Sequence, residues 1–171
     1  GFGMGIEWIT TRRSIRRYKR DRVSEEQVTE MLRAAMSAPS AGNQQPWHFV
    51  VVRDPETLKK IAHTHPYGQM TADASVAILI CGDSTAEAHK GYWVQDCSAA
   101  TENLLLAAHI MGLGAVWVGV YPREERVKEF TELFDLPAGV YPLALVPVGY
   151  PAEEKPQQDR FQAARVHPEA W

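Results

Sequence analysis

Between Tyr92 and Met111 the chain carries about twenty residues with helical spacing that are small and apolar around much of the girth. Trp93, Cys97, Ala100, Leu104, Ala108 and Met111 recur along one side, while Ala99-Ala100 and Leu104 to Ala108 extend the small, apolar surface. A helix of this kind is buried on more than one side, either centrally in its own domain or against a second subunit. A second constraint stands just before it. Ser75 to Cys81 is a continuous apolar run, as expected of a strand covered on both faces.

The remaining punctuation fits a mixed α/β (α+β) chain with helices and strands interleaved. A helix starts at Ser24, where Ser24 and Gln27 have capping-box spacing. It continues through Val28, Met31, Leu32, Ala35 and Met36, and ends at Ser37-Ala38-Pro39, because proline disfavours helical geometry in the residue before it. Trp47 to Val52 reads as a strand, and Asp54-Pro55 opens a short helix. Gly112-Leu113-Gly114 closes the long helix. Ala115 to Val120 is the next strand, and Arg123 to Phe134 a helix with Val127, Phe130 and Phe134 on one side. Tyr141 to Tyr150 is the last strand, expected to be irregular or near an edge because Pro142 and Pro147 lack ladder donors. From about residue 151 the chain turns polar and proline-rich, a tail expected to extend over a neighbouring molecule. No repeat divides the sequence, so residues 1–171 are read as one domain.

Composition narrows the function. The net charge of −3 and 45% hydrophobic content do not describe a nucleic-acid-binding or membrane-surface protein. No apolar run approaches the roughly 20 residues that cross a bilayer, and nothing resembles a secretory signal. Cys81 and Cys97 are too few for a disulfide framework and not spaced for zinc, so they are expected as buried thiols in a reducing, cytoplasmic setting. His63 and His65 are expected as surface histidines.

Two segments stand out chemically. Seven of the 18 basic residues fall within Arg12-Arg13-Ser14-Ile15-Arg16-Arg17-Tyr18-Lys19-Arg20-Asp21-Arg22. Such a run is a solvated face, a nucleic-acid arm or an anion site. Negative overall charge and the lack of an aromatic platform count against the arm, whereas arginine forks beside the Ser14 hydroxyl suit a phosphate. If Thr11 to Tyr18 were helical, Arg12 and Arg16 would share one face. The second segment is Ala38-Pro39-Ser40-Ala41-Gly42-Asn43-Gln44-Gln45-Pro46-Trp47. Its small residues let a planar ligand approach the backbone, and its amides supply donors and acceptors.

In this order the segments resemble the FMN-binding nitroreductase family: Arg-Arg-Ser-x-Arg, a helix, then Pro-Ser-x-x-Asn-x-Gln-Pro-Trp. The Asp96 to Leu104 stretch is similar to the family's Asp-x-x-x-Ala-x-x-Asn-Leu-Leu pattern, and Gly112 to Gly119 and Val148-Gly149-Tyr150-Pro151 follow in place. The resemblance spans about Trp8 to Arg160. It implies a central mixed sheet flanked by helices, an intertwined homodimer and noncovalent FMN. By the same resemblance Arg12, Arg13 and Ser14 would bind the FMN phosphate and ribityl chain, and Arg16 would stand beside N1 and O2 of the pyrimidine. Pro39, Ser40, Ala41 and Asn43 would come from the other subunit to line the isoalloxazine. Trp117, Val118 and Gly119 would run along its far side, with a backbone amide toward N5. Gln69 would meet the pyrimidine edge, and Arg160 the phosphate. The family often places lysine two positions before that arginine, where this chain has Gln158, and Lys155 is the nearby substitute.

The implied activity is transfer of hydride from NAD(P)H through flavin to a small acceptor such as a nitroaromatic or quinone, with ping-pong kinetics. Within the family, reductive dehalogenation and flavin breakdown are the rivals, and outside it a flavin-binding protein without turnover. The polar stretch Asp83 to Tyr92, followed by Trp93, resembles the region where relatives carry a lid over the flavin, and it is short here.

Overall fold

The alternation of side chains along one central strand explains the layering of the whole molecule. The structure, a computed structural model, describes residues 3–171, with side chains from residue 5 onward. Strand β3 (Val76–Asp83) is hydrogen-bonded on both sides. Its Val76, Ile78 and Ile80 enter one core with helices α2 (Glu25–Met36) and α4 (Trp93–Ile110). Its Ala77, Leu79 and Cys81 enter a second core with α3 (Pro55–Thr64) and α5 (Glu124–Leu133). Successive residues point to opposite faces, so a strand with two covered faces must be apolar throughout.

Local signals account for the helices. In α2 the Ser24 hydroxyl accepts from the Gln27 amide, and the Gln27 side chain accepts from Ser24 N–H, forming the capping box. Asp54 caps α3 with Pro55 at its first position. Helix α4 buries Trp93, Asp96, Cys97, Ala100, Leu104, Leu105 and Ala108, as its composition requires. A further helix, α1 (Gly3–Thr10), precedes all of these and was not anticipated. It docks on the end of α4, where Trp8 meets His109 edge-on and Thr11 Oγ1 lies 2.8 Å from His109 Nε2.

The sheet refines three expectations. Strand β6 (Val140–Pro151) lies centrally, not at an edge: it pairs antiparallel with β1 (Tyr18–Lys19), β3, β4 (Gly114–Ala115) and β5 (Val118–Gly119). Pro142 is absorbed by an irregularity, whereas Pro147 keeps regular register opposite Ala77. The register with β3 shifts between Ile80 and Cys81, opposite Ala144 and Pro142, which leaves Leu143 as the extra residue. The Leu143 carbonyl then accepts from the Val120 and Tyr121 amides. The predicted strand Ala115 to Val120 is accordingly split into β4 and β5. The named strand pairs, including β2 (Trp47–Val52) with β3, are all antiparallel, and the mixed character reduces to one isolated parallel bridge between Ser14 and Ala115.

Candidate functional site

Thr11 to Tyr18 is extended rather than helical. In a helix Arg12 would repel Arg16, and Arg13 would repel Arg17, one turn away. Tertiary partners take the backbone instead. Ile15 N–H donates to Ala115 O at 2.9 Å, Arg16 N–H to Glu153 Oε2 at 2.7 Å, and Ala152 N–H to Arg17 O at 2.8 Å. The Arg16 amide is the main cause that holds the Glu153 carboxyl below its ordinary value. The basic segment is thereby clamped between β4 and the end of β6.

On one side of this clamp Arg12, Arg13, Ser14, Lys155, Pro156, Gln158 and Arg160 line a cavity of about 310 Å³. Arg13 Nε donates to Pro156 O at 2.8 Å and its Nη1 to Arg12 O at 3.0 Å, while Nη2 is buried with no partner. Lys155 Nζ donates to Ser14 O at 2.6 Å. Lysine and arginine from the tail thus meet the N-terminal arginines, and Lys155 stands where the sequence left its role open. This part of the tail packs on its own chain, contrary to expectation. Beyond it the chain is exposed and carries Phe161, Val166 and Trp171 into solvent.

A second cavity of about 440 Å³ is lined by Arg16, His65, Tyr67, Gln69, Met70, Val116, Trp117, Val118, Gly119 and Arg126. Arg16, Gln69, Trp117, Val118 and Gly119, far apart in sequence, are brought together here. A Cβ added at Gly119 would meet no atom within 4 Å, so the backbone faces open space. Gln69 Nε2 donates to Pro66 O at 2.5 Å.

Pro39, Ser40, Ala41 and Asn43 line neither cavity of their own chain. Their loop is held on α4. Asp96, 4% exposed, accepts from Ala41 N–H at 2.9 Å through Oδ1 and from Gln44 Nε2 at 2.8 Å through Oδ2. Gly42, Asn43 and Gln45 have positive φ, a conformation that glycine adopts freely and other residues uncommonly. A side chain at Gly42 would run into the His89 ring.

The Nitroreductase family profile matches residues 9–64 and 62–150. A Methanothermobacter thermautotrophicus protein with the provisional name NADH dehydrogenase/NAD(P)H nitroreductase is 53% identical over 166 residues, covering 97% of this chain and 87% of that one. The chain belongs to the nitroreductase family. Among solved structures, an FMN-dependent nitroreductase from Clostridium difficile superposes with a TM-score of 0.90 at 30% identity, covering 97% of this chain and 99% of that one. A Desulfovibrio desulfuricans protein, provisionally named a nitroreductase and solved in complex with FMN, has a TM-score of 0.84 at 34% identity over 97% and 96%.

The family's Asp-x-x-x-Ala-x-x-Asn pattern acquires a physical reason. Asp96 holds the Ser40 to Gln44 loop, Ala100 is fully buried in the core, and Asn103 Nδ2 donates to Ala34 O at 3.0 Å near the end of α2. Two polar residues of α4 therefore fix both the end of α2 and the loop that follows it. Spacing alone showed the pattern but not these partners. The short Asp83 to Tyr92 stretch lies against the same loop. His89 N–H donates to Gln44 Oε1 at 3.0 Å, and buried Glu87 accepts from Trp93 N–H at 2.9 Å. Trp93 itself is core, stacked on Tyr141 and edge-on to Tyr121.

Cys81 and Cys97 are both free and buried, and burial pushes their thiols up to about 12. His65 contradicts the surface reading: it is buried, with its ring bonded to Gly119. Among the described residues no group of three or more His, Cys, Asp or Glu side chains could hold a metal ion, and no helix is long and apolar enough to cross a membrane.

Proposed function

We propose that this protein is an FMN-dependent oxidoreductase that takes hydride from NAD(P)H and reduces small acceptors such as nitroaromatics or quinones. The observation that carries the reading is that one clamped segment contributes to two cavities, Arg12 to Ser14 to one and Arg16 to the other. One is ringed by Arg12, Arg13, Ser14, Lys155 and Arg160, and the other by Arg16, Gln69 and the Trp117 to Gly119 backbone. The first suits a phosphate: it combines guanidinium forks, an ammonium and a hydroxyl, with the buried Arg13 Nη2 still lacking an acceptor. The second suits a flat ring system, because an open glycine backbone and a cation line it together.

Bound FMN would supply the redox chemistry, accepting hydride at N5 and returning electrons to the acceptor. The residues of this chain bind and tune. Arg12, Arg13, Ser14, Lys155 and Arg160 hold the phosphate end. Arg16 places a fixed positive charge at the pyrimidine edge and so favours electron uptake in the cavity. Gln69 would offer an amide to the same edge, and the Val118 to Gly119 backbone would line the ring. Trp117 flanks the space in which donor and acceptor would follow one another, which requires ping-pong kinetics.

The protein acts in this reading as a homodimer. The exposed Phe161, Val166 and Trp171 and the Pro39 to Asn43 loop, rigidly presented yet outside its own chain's cavities, support exchange of both elements between subunits.

The purified protein is expected to be yellow, to release FMN on heating and to bleach with NADH or NADPH in the absence of oxygen. Stopped-flow mixing of the reduced protein with quinones and nitroaromatics should restore the colour. Recovery of FAD alone, or a flavin that no nicotinamide reduces, defeats the proposal. Light scattering that finds a 19.1 kDa monomer still holding flavin defeats the dimer.

A further inference from the structure

We infer that His65, as its neutral Nε2–H tautomer, is a positioning residue that sets the Gly119 peptide along the cavity wall. The inference rests on the FMN reading above only for what the wall would touch. The pin itself is visible in the chain. His65 is the residue that closes α3, its backbone N–H donating to Ile61 O at 3.0 Å, and it is 1% exposed. Its Nε2 lies 2.7 Å from Gly119 O, and the Tyr67 amide lies 3.0 Å from its Nδ1. A carbonyl can only accept and an amide N–H can only donate, so Nε2 carries the proton and Nδ1 does not. A doubly protonated ring would set two N–H groups against each other at Nδ1. One imidazole thus joins the Tyr67 to Gln69 wall of the cavity to the Val116 to Gly119 wall.

Gly119 is where such a pin has most leverage. Glycine is the softest link in a backbone, and β5 is only two residues long with β4 broken off before it. The open side of Gly119 has no neighbour to press against it. Besides its two-residue pairing with β6, Val118 opposite Leu145 and Gly119 opposite Ala144, this end has two further anchors: the Leu143 carbonyl, which accepts from the Val120 and Tyr121 amides, and the His65 ring, which donates to the Gly119 carbonyl. The ring is held in turn by Phe130 of α5, edge-on at 6.0 Å, and by Tyr67 at 6.3 Å. The charged groups that face it are Arg126 and Glu129, also from α5. Arg126 sits over the Tyr67 ring at 5.4 Å, and Arg16 lines the same cavity. Burial, the largest influence, holds the imidazole below its ordinary value and so keeps it neutral.

Three substitutions separate a donor from a filler. In His65→Gln the terminal amide reaches the place of Nε2 and keeps a donor for Gly119 O. In His65→Asn the side chain is too short to do so, and His65→Phe keeps the ring without any donor. Amide exchange of the Val118 to Val120 peptide, followed by mass spectrometry on apo-protein, is expected to quicken at least tenfold in Asn and Phe and to stay near wild type in Gln. Apo-protein titrated with FMN is expected to show the same order. Affinity should fall about tenfold in Asn and Phe, with an altered flavin absorption band, and change less than about threefold in Gln. Should Phe fail to fold, Gln against Asn still decides. Wild-type protein that binds no FMN but shows the exchange pattern defeats the cofactor reading and leaves the pin standing. Exchange that is unchanged in all variants, or equally raised in Gln, overturns the pin whatever FMN does.

Discussion

Replacing Asp96 by asparagine isolates the contribution of one buried carboxylate to the loop it holds. The carboxylate makes two bonds, 2.9 Å from Ala41 N and 2.8 Å from Gln44 Nε2, and it lies in the first turn of α4, where the helix dipole favours a negative charge. A hydrogen bond to a charged partner contributes about 1.5 to 3 kcal/mol. Asparagine keeps the shape but has one oxygen, so its amide nitrogen must face one of the two donors. One bond is lost and two donors oppose each other in a site closed to water. The expected loss is therefore about 2 to 3 kcal/mol. In a domain of this size each kcal/mol lowers Tm by roughly 2 to 4 °C, so the apo-protein should melt roughly 4 to 12 °C earlier. Urea denaturation of apo-protein measures it directly, and Gln44→Met completes a double-mutant cycle. The Ala41 amide is fixed in the backbone, so the asparagine nitrogen turns toward Gln44. Both changes then break the same bond, and their combined effect should fall short of the sum by about 1 to 2 kcal/mol. If the loop also serves a second subunit, FMN affinity should fall with the stability. An Asp96→Asn protein within about 0.5 kcal/mol of wild type, the size of an ordinary surface change, would refute the reasoning.

The arginines divide by cavity. Arg12→Ala or Arg13→Ala should weaken FMN by about 2 to 4 kcal/mol, roughly 30- to 1,000-fold, and lysine at either position should restore little, since a point charge does not replace a fork. Arg16→Ala should leave the phosphate held but lower the flavin potential and slow reduction by NAD(P)H, with Arg16→Lys restoring most of both; unchanged FMN affinity and potential across the series would mean that the basic run is only surface. Stability should also fall in mildly acid solution. Burial is the main cause that lowers both His65 and His109, with Arg12 adding to the effect on His109, so the unfolded chain takes up each proton first. The neutral rings stabilise fully above the ordinary imidazole value of about 6.5, and that contribution is lost as pH falls below it, by up to about 1.4 kcal/mol per pH unit for each ring. Urea midpoints between pH 7.5 and 5.5 should therefore drop for wild type and drop less for His65→Gln, and equal slopes would contradict the assignment.

Several elements were legible because their causes are local. The capping box at Ser24 and Gln27 satisfies helix amides within four residues, and Asp54-Pro55 does the same for α3. The apolar run of β3 and the small, greasy α4 announce burial on two sides, which the two cores supply. The order of motifs from Arg12 to Pro151 was enough to suggest the family and to nominate Arg16, Gln69 and Trp117 to Gly119, which then met around one cavity.

What stayed hidden depends on partners distant in sequence. Thr11 to Tyr18 is extended because Ala115, Glu153 and Ala152 take its backbone groups, 100 residues or more away. Pro142 and Pro147 pointed to a strand either irregular or near an edge; β6 is irregular at Pro142, where the register shifts by one residue, yet it lies at the sheet centre. His65 carries no signal in its neighbourhood at all, since what buries it is Gly119 and Phe130, each more than 50 residues on. Sequence by itself determined which segments are apolar on which faces and which side chains could bind an anion, because those follow from residue type and spacing. Only the tertiary structure decided which backbone group each polar atom meets, because a hydrogen bond is set by positions in space that no local pattern encodes.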